Sequence, residues 1–305
     1  MDGAVSGSRP IASSLAAIYF SGRRVDPPCE FLPGYLVVQL GIEQNGNDLR
    51  QRCIIAEAMR RSIHFATMTA MWFLAFAAAL TSARYFLVPP RFLLSFEVLA
   101  LSRHHTLILL HIAGGIVAIA VGLFQFVGSM RNAYPGVHRA LGYVYLSAVF
   151  LAGCAGLWLV PDTRMFAAQG LSDLTAIDLS RLGLSPSFLG YSASSTFSPN
   201  QFFLVMVGFG TLAVAWLLTA ALALIRARQL RFEQHRAWMM RSYSLTFAAA
   251  TIRLAALPLL VLTRDPVVAI TCTFWSWILN LVVAEWLIRR GSAVRALNGL
   301  AQTIS

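Results

Sequence analysis

Two short strings with the same opening, His138-Arg139-Ala140 and His235-Arg236-Ala237, carry the most suggestive chemistry in the chain. Each histidine leads into a long apolar run. A tyrosine follows in both, Tyr145 seven residues on and Tyr243 eight residues on. A histidine at a helix N-terminus meets the positive end of the macrodipole, which favours the uncharged ring. The uncharged imidazole is the form that ligates a metal. Two such rings at similar depth are candidate axial ligands for haem b, and the adjoining guanidiniums of Arg139 and Arg236 are candidate partners for its propionates. The plainer reading is a pair of interfacial residues that enforce orientation and touch lipid headgroups.

His111 is a third candidate haem ligand, inside a run that continues through Gly114 and Gly115. His104 precedes it by seven residues, about 10 Å along a helix axis and on the same face. Met206 lies at comparable depth in a later run, and histidine–methionine ligation of haem is known chemistry. No second histidine stands at that level, so a hydrogen bond to a neighbouring helix is the plainer role for His111. The remaining polar groups in apolar runs are His64, Gln125, Arg241, Arg253, Asn280 and Glu285. An isolated mid-membrane arginine costs at least a few kcal/mol. Arg253 is therefore expected to face the bundle interior, with Glu285, Asn280 and Gln125 as candidate partners. It serves either a polar network or an anion or substrate site.

The elements that must position these groups are long apolar helices. Of 305 residues, 57% are hydrophobic and only 12% charged, too few ionic groups to cover a water-facing surface. Disorder, which pairs low hydrophobicity with high charge, is excluded as well. Six runs reach the ~20 residues that a membrane helix needs. They cover 63–87, 106–128, 139–160, 203–225, 242–263 and 267–288. The stretch Arg91 to Arg103 is too short to cross and is expected at the interface or as an extension of the second helix. The predicted fold is all-α, a polytopic membrane bundle of six transmembrane helices. Its parts are a flexible cytosolic segment 1–61, a membrane domain 62–290 and a cytosolic tail 291–305. The N-terminus shows no basic region followed by a long apolar core, so no cleaved signal is expected.

Arginine placement sets the orientation. All 24 basic residues are arginine, which excludes lysine Schiff-base chemistry and a Walker-type phosphate loop. With the N-terminus inside, 17 arginines fall on the inner side and six on the outer, Arg253 lying within the fifth run. That is the positive-inside pattern, and it places both termini in the cytosol, or on the matrix or stromal side. It also accounts for the net charge of +11 without any nucleic-acid partner. Cys29, Cys53, Cys154 and Cys272 form no zinc spacing, and the two in apolar runs are expected as buried, reduced thiols. The outer loop 161–200 is either plain or carries a short amphipathic helix from Ser172 to Leu184. The intrahelical glycines are expected either to let helices approach or to leave room for a planar cofactor. No nucleophile elbow, metalloprotease or dinucleotide motif is present, so enzymatic activity stays open.

Three places in the chain resemble a family of membrane proteins, the domain of unknown function two-three-zero-six. The first is His111-Ile-Ala-Gly-Gly115 through Gly122 to Gln125-Phe126. The second is His138-Arg139 through Gly142 to Tyr145, with Tyr143 where an arginine is expected. The third runs from His235 through Trp238, Arg241-Ser242-Tyr243 and Thr246 to Arg253-Leu254. The likeness covers about 62–290 and implies a multi-pass membrane protein. The helical architecture is also loosely similar to cytochrome b-type and ferric-reductase-like bundles. Three functions follow as expectations. One is a haem b-binding electron carrier or oxidoreductase with an unidentified redox partner. Another is a transporter of ions or small molecules, lined by Arg253, Gln125, Asn280 and Glu285. The last is a non-catalytic membrane scaffold in contact with the lipid bilayer.

Overall fold

The computed structural model describes residues 46–93, 95–163, 180 and 198–304. All regular structure among them is helical. The elements are α1 (Gly46–Leu87), α2 (Ser95–Phe124), α3 (Gly128–Ala133), α4 (Pro135–Leu159), α5 (Pro199–Arg228), α6 (Phe232–Thr246), α7 (Ala248–Thr263), α8 (Pro266–Phe274) and α9 (Trp277–Ile304). Two contact units divide the chain. Residues 68–295 form the larger one, and 46–67 with 296–304 are the described part of the smaller, all helical.

Lipid as solvent explains the choice of helix. Hydrocarbon offers no hydrogen bonds, so a crossing segment must satisfy its own N–H and C=O groups. Six helical stretches are long and apolar enough to cross: Ile54–Leu87, Glu97–Phe124, Pro135–Leu159, Asn200–Arg228, Phe232–Thr263 and Thr271–Ala293. Large apolar side chains cover their outsides. Phe73, Phe76 and Trp158 are each more than two-thirds exposed, a surface that water would not tolerate but acyl chains wet. The protein is thus an integral, multi-pass membrane protein.

Sequence signals mark several helix ends. Ser198 caps α5 in a reciprocal capping box with Gln201, and Pro199 follows at the first helical position. Pro135 and Pro266 open α4 and α8 in the same way. Arg226 and Arg228 lie in the last turn of α5, where the dipole favours cations.

Small residues set the packing of α2 against α4. A Cβ at Gly114 would stand 2.8 Å from the Ala148 carbonyl oxygen and 2.9 Å from the Ala152 Cβ. Two turns further, a Cβ at Gly122 would fall 2.5 Å from ring carbons of Tyr243. The core that results joins Ala118, Ile119 and Leu123 of α2 to Tyr145, Ala148, Val149 and Ala152 of α4, with Trp216 and Ala220 of α5 and Tyr243 of α6. The first crossing joins it through Ala75 and Ala78, and Trp72 meets Phe124 edge-on at 4.8 Å between ring centroids.

The second helix begins at Ser95 and absorbs most of the Arg91–Arg103 stretch, the second of its two expected placements, and bends where His104 leaves helical geometry (φ −135°, ψ 51°). Two details depart from the expectation. The fifth crossing is two helices, α6 and α7, parted at Phe247, and the sixth is α8 and α9, parted at Trp275–Ser276. Cys154 and Cys272 are free thiols but exposed rather than buried, because their helix faces turn outward to lipid. Gly114, Gly122 and Gly153 follow the packing alternative, since a Cβ at each would fall within 3 Å of neighbouring side chains or backbone. The segments 1–45 and 164–179, with the expected Ser172 cap, lie outside the described residues, as does the His64 side chain.

Candidate functional site

The connections from α2 to α4 and from α5 to α6 lie on one face with Arg131, Arg139, Arg226, Arg228, Arg231 and Arg236. On this arginine-rich face His138 stands in the first turn of α4 and His235 in the first turn of α6. The two rings are close enough to interact electrostatically, and Arg131 is within the same range of His138. The shared His-Arg-Ala opening therefore marks side chains that the fold brings together.

The two rings are held differently. His235 Nδ1 lies 2.8 Å from the carbonyl oxygen of Ala223 on α5. A carbonyl only accepts, so Nδ1 carries the proton and the uncharged ring keeps its lone pair on Nε2. Backbone anchoring of one ring nitrogen is how metal-ligating histidines are usually oriented. His138 Nδ1 is buried and has no hydrogen-bond partner. A buried unpaired polar atom is costly unless a ligand or water completes it. A second such atom lies nearby. Gln125 is buried just past the end of α2 with its Nε2 unpaired, and its Oε1 faces Gly142, one helical turn along α4 from His138. Arg139 and Arg236 are exposed beside the two histidines.

Two turns deeper lies a network that sequence reasoning missed. Tyr145 is fully buried, its hydroxyl 2.8 Å from Ser242 Oγ and 2.9 Å from Thr246 Oγ1. Trp216 Nε1 donates to Thr246 Oγ1 at 2.8 Å, and Tyr243 donates to the Ile119 carbonyl at 3.1 Å. Thr246 also donates to the Ser242 carbonyl at 3.1 Å. The proton directions follow by elimination. Thr246 spends its one proton on that carbonyl, so Tyr145 donates to Thr246 and Ser242 donates to Tyr145. The sequence signal was the pair of tyrosines, Tyr145 and Tyr243, that follow His138 and His235 within apolar runs.

His111 makes the expected helix-to-helix bond, its Nδ1 lying 2.9 Å from the Ala152 carbonyl oxygen. Gly156 leaves room for that ring, since a Cβ there would stand 2.9 Å from Nδ1. The other intramembrane polar groups lie in separate pairings. Arg253 donates to Ser82 Oγ at 2.8 Å and to the Ala249 carbonyl at 2.6 Å, and not to Glu285. Its side chain is exposed on one side instead of enclosed in the bundle. Asn280 donates to the Ser244 carbonyl and exchanges a hydrogen bond with Thr251. Glu285 accepts from Arg241 at 2.7 and 3.0 Å and from Arg289 at 3.2 Å. Of the expected partners Glu285, Asn280 and Gln125, Arg253 bonds to none; the rotation of α7 sends the guanidinium to α1. Among the described residues no three His, Cys, Asp or Glu side chains converge as a metal cluster.

An all-helical, six-crossing bundle with its polar groups gathered on a few internal seams defines a polytopic membrane protein. Residues 108–184 and 183–288 match the family described as Predicted membrane protein (DUF2306), and the chain belongs to that family. The matched region opens inside α2 and runs through the sixth crossing, so it contains both histidine strings and the Tyr145 network. No curated protein and no solved structure matches the chain.

Proposed function

We propose that the protein is a haem b-binding transmembrane electron carrier or oxidoreductase, with His138 and His235 as the residues that would hold the haem iron on the arginine-rich face. One observation carries this reading: two histidines of adjoining crossings lie within electrostatic range, and one presents a buried ring nitrogen with no partner. The residues fit the group at three points. His235 is oriented by the Ala223 carbonyl with Nε2 available. Arg139 and Arg236 stand exposed beside the ligands, where propionates need counter-charges. Gln125 offers a buried, unused amide donor one turn away. Both histidines stand in first helical turns, so the fit is at the rim of the bundle. When bound between two histidines, haem supplies reversible one-electron chemistry.

The test is the reduced-minus-oxidised visible spectrum of protein purified after haem-replete expression. A b-type difference spectrum is expected, lost in the combined His138→Ala and His235→Ala variant and kept in Arg253→Gln. Stoichiometric folded protein without haem, or unchanged haem in the double variant, overturns the assignment.

A further inference from the structure

A second group of charges lies near the opposite end of the bundle, and the proposed haem reading uses none of it. Arg84 and Tyr85, in the last turn of α1, both donate to Glu97 in the first turn of α2, Tyr85 at 2.6 Å. Glu97 is buried. Arg253 lies within electrostatic range of Arg84, Tyr85 and Glu97, and its own hydrogen-bond partners, Ser82 and Ala249, are both neutral. Two guanidiniums thus share one carboxylate. The Nε of Arg84 is buried with no partner, an idle donor beside the group.

Charge arithmetic makes this arrangement informative. An unbalanced cation in hydrocarbon costs several kcal/mol and persists only with a counter-ion or a route to polar groups. Ser82 stands five residues before the end of α1, so about 7.5 Å below it. That places the group within two turns of a helix end, and the Arg253 side chain is exposed. A guanidinium fork with a spare N–H nearby matches the oxygens of a phosphate.

We propose that Arg253 and Arg84 form a binding site for a phosphate group near the arginine-poor end of the bundle, with the Ser82 hydroxyl, whose proton goes to the Ala78 carbonyl, orienting the Arg253 guanidinium. Glu97 holds Arg84 in place. The phosphate comes either from an anionic phospholipid entering sideways from the bilayer or from the aqueous phase, and the test separates the two.

Native mass spectrometry of the detergent-solubilised full chain serves as the readout, with phosphatidylglycerol, phosphatidylcholine and inorganic phosphate as probes. The wild-type protein should retain phosphatidylglycerol over phosphatidylcholine. Arg253→Gln and, separately, Arg84→Gln should each weaken retention about tenfold, the scale of a lost charge-assisted contact. Glu97→Gln, which removes the competing carboxylate, should tighten it. Competition by millimolar inorganic phosphate assigns a soluble ligand; retention that phosphate does not disturb assigns the lipid. Equal retention by wild-type protein and both folded arginine variants, or no bound phosphate species from any probe, overturns the site. Neither result bears on the haem spectrum, so the two proposals fail independently.

Discussion

The hydroxyl of Tyr145 sits 2.8 Å from Ser242 Oγ, and each of these residues lies seven positions after a histidine of the arginine-rich face. Seven residues are two helical turns, about 10.5 Å of rise. The His138–His235 pair and the Tyr145–Ser242 pair are therefore two rungs between the same two helices. The inner rung has its protons fully assigned; the outer rung ends on an unpaired nitrogen. The bundle is locked at one level and leaves the His138 Nδ1 without a partner at the other.

Removing the inner lock should cost stability. Interhelical hydrogen bonds in membranes contribute about 0.6 kcal/mol each on average, with a ceiling of about 1.7. Tyr145→Phe deletes two and should lower stability by about 1 kcal/mol. Thr246→Val should cost more, because Trp216 Nε1 then loses its acceptor in the core. Thermal unfolding in detergent measures both. A Thr246 variant as stable as the wild type would show that the network does not hold the helices.

Glycine substitutions should separate by position. At Gly122 an added methyl meets the Tyr243 ring at 2.5 Å, so Gly122→Ala should destabilise by about 1–3 kcal/mol through overpacking. At Gly115 nothing lies within 4 Å, and alanine is the better helix former by about 1 kcal/mol. Gly115→Ala should therefore be neutral or stabilising. Unfolding midpoints in the reverse order would contradict the packing described here.

Arg241 and Glu285 should couple weakly. The pair makes two hydrogen bonds, and Arg241 also stacks 4.6 Å from the Trp238 ring centre. Both side chains stay partly exposed, at 22% and 35%, so screening limits the interaction to about 0.5–1 kcal/mol. A double-mutant cycle with Arg241→Gln and Glu285→Gln gives the coupling directly. A value above 3 kcal/mol would place the pair in a far drier setting.

Orientation can be read with a water-soluble thiol reagent after the native cysteines are replaced. The arginine distribution predicts that Arg228→Cys reacts from the cytosolic side and Arg264→Cys from the other. Labelling of both from one side would break the six-crossing topology, and the opposite pattern would invert it.

What was legible in the sequence follows from what lipid demands. The six crossings were visible because each needs an unbroken apolar stretch, and only helix satisfies the backbone there. The His138 and His235 strings were visible because they repeat. The breaks at Phe247 and Trp275–Ser276 were not, since no proline or glycine stands at either. Partner choice was also hidden. Hydropathy gives the depth of Arg253 but not the direction its helix turns, so Ser82 could not be picked over Glu285. The Tyr145 network escaped for a related reason. Serine, threonine, tyrosine and tryptophan fit unremarkably within an apolar run until packing shows that their polar atoms meet.

The junction at Phe247 has a consequence for how the two proposed sites communicate. His235 rides on α6, which is tied to α2, α4 and α5, whereas Arg253 rides on α7, which bonds to α1 and α9. Phe247 keeps helical angles (φ −67°, ψ −12°) and its N–H still bonds to the Tyr243 carbonyl, so the two halves stay connected along the crossing. Asn280 of α9 also bridges them, through the Ser244 carbonyl and Thr251. A tilt imposed at one end is thus expected to reach the other, giving a measurable coupling free energy across a single crossing.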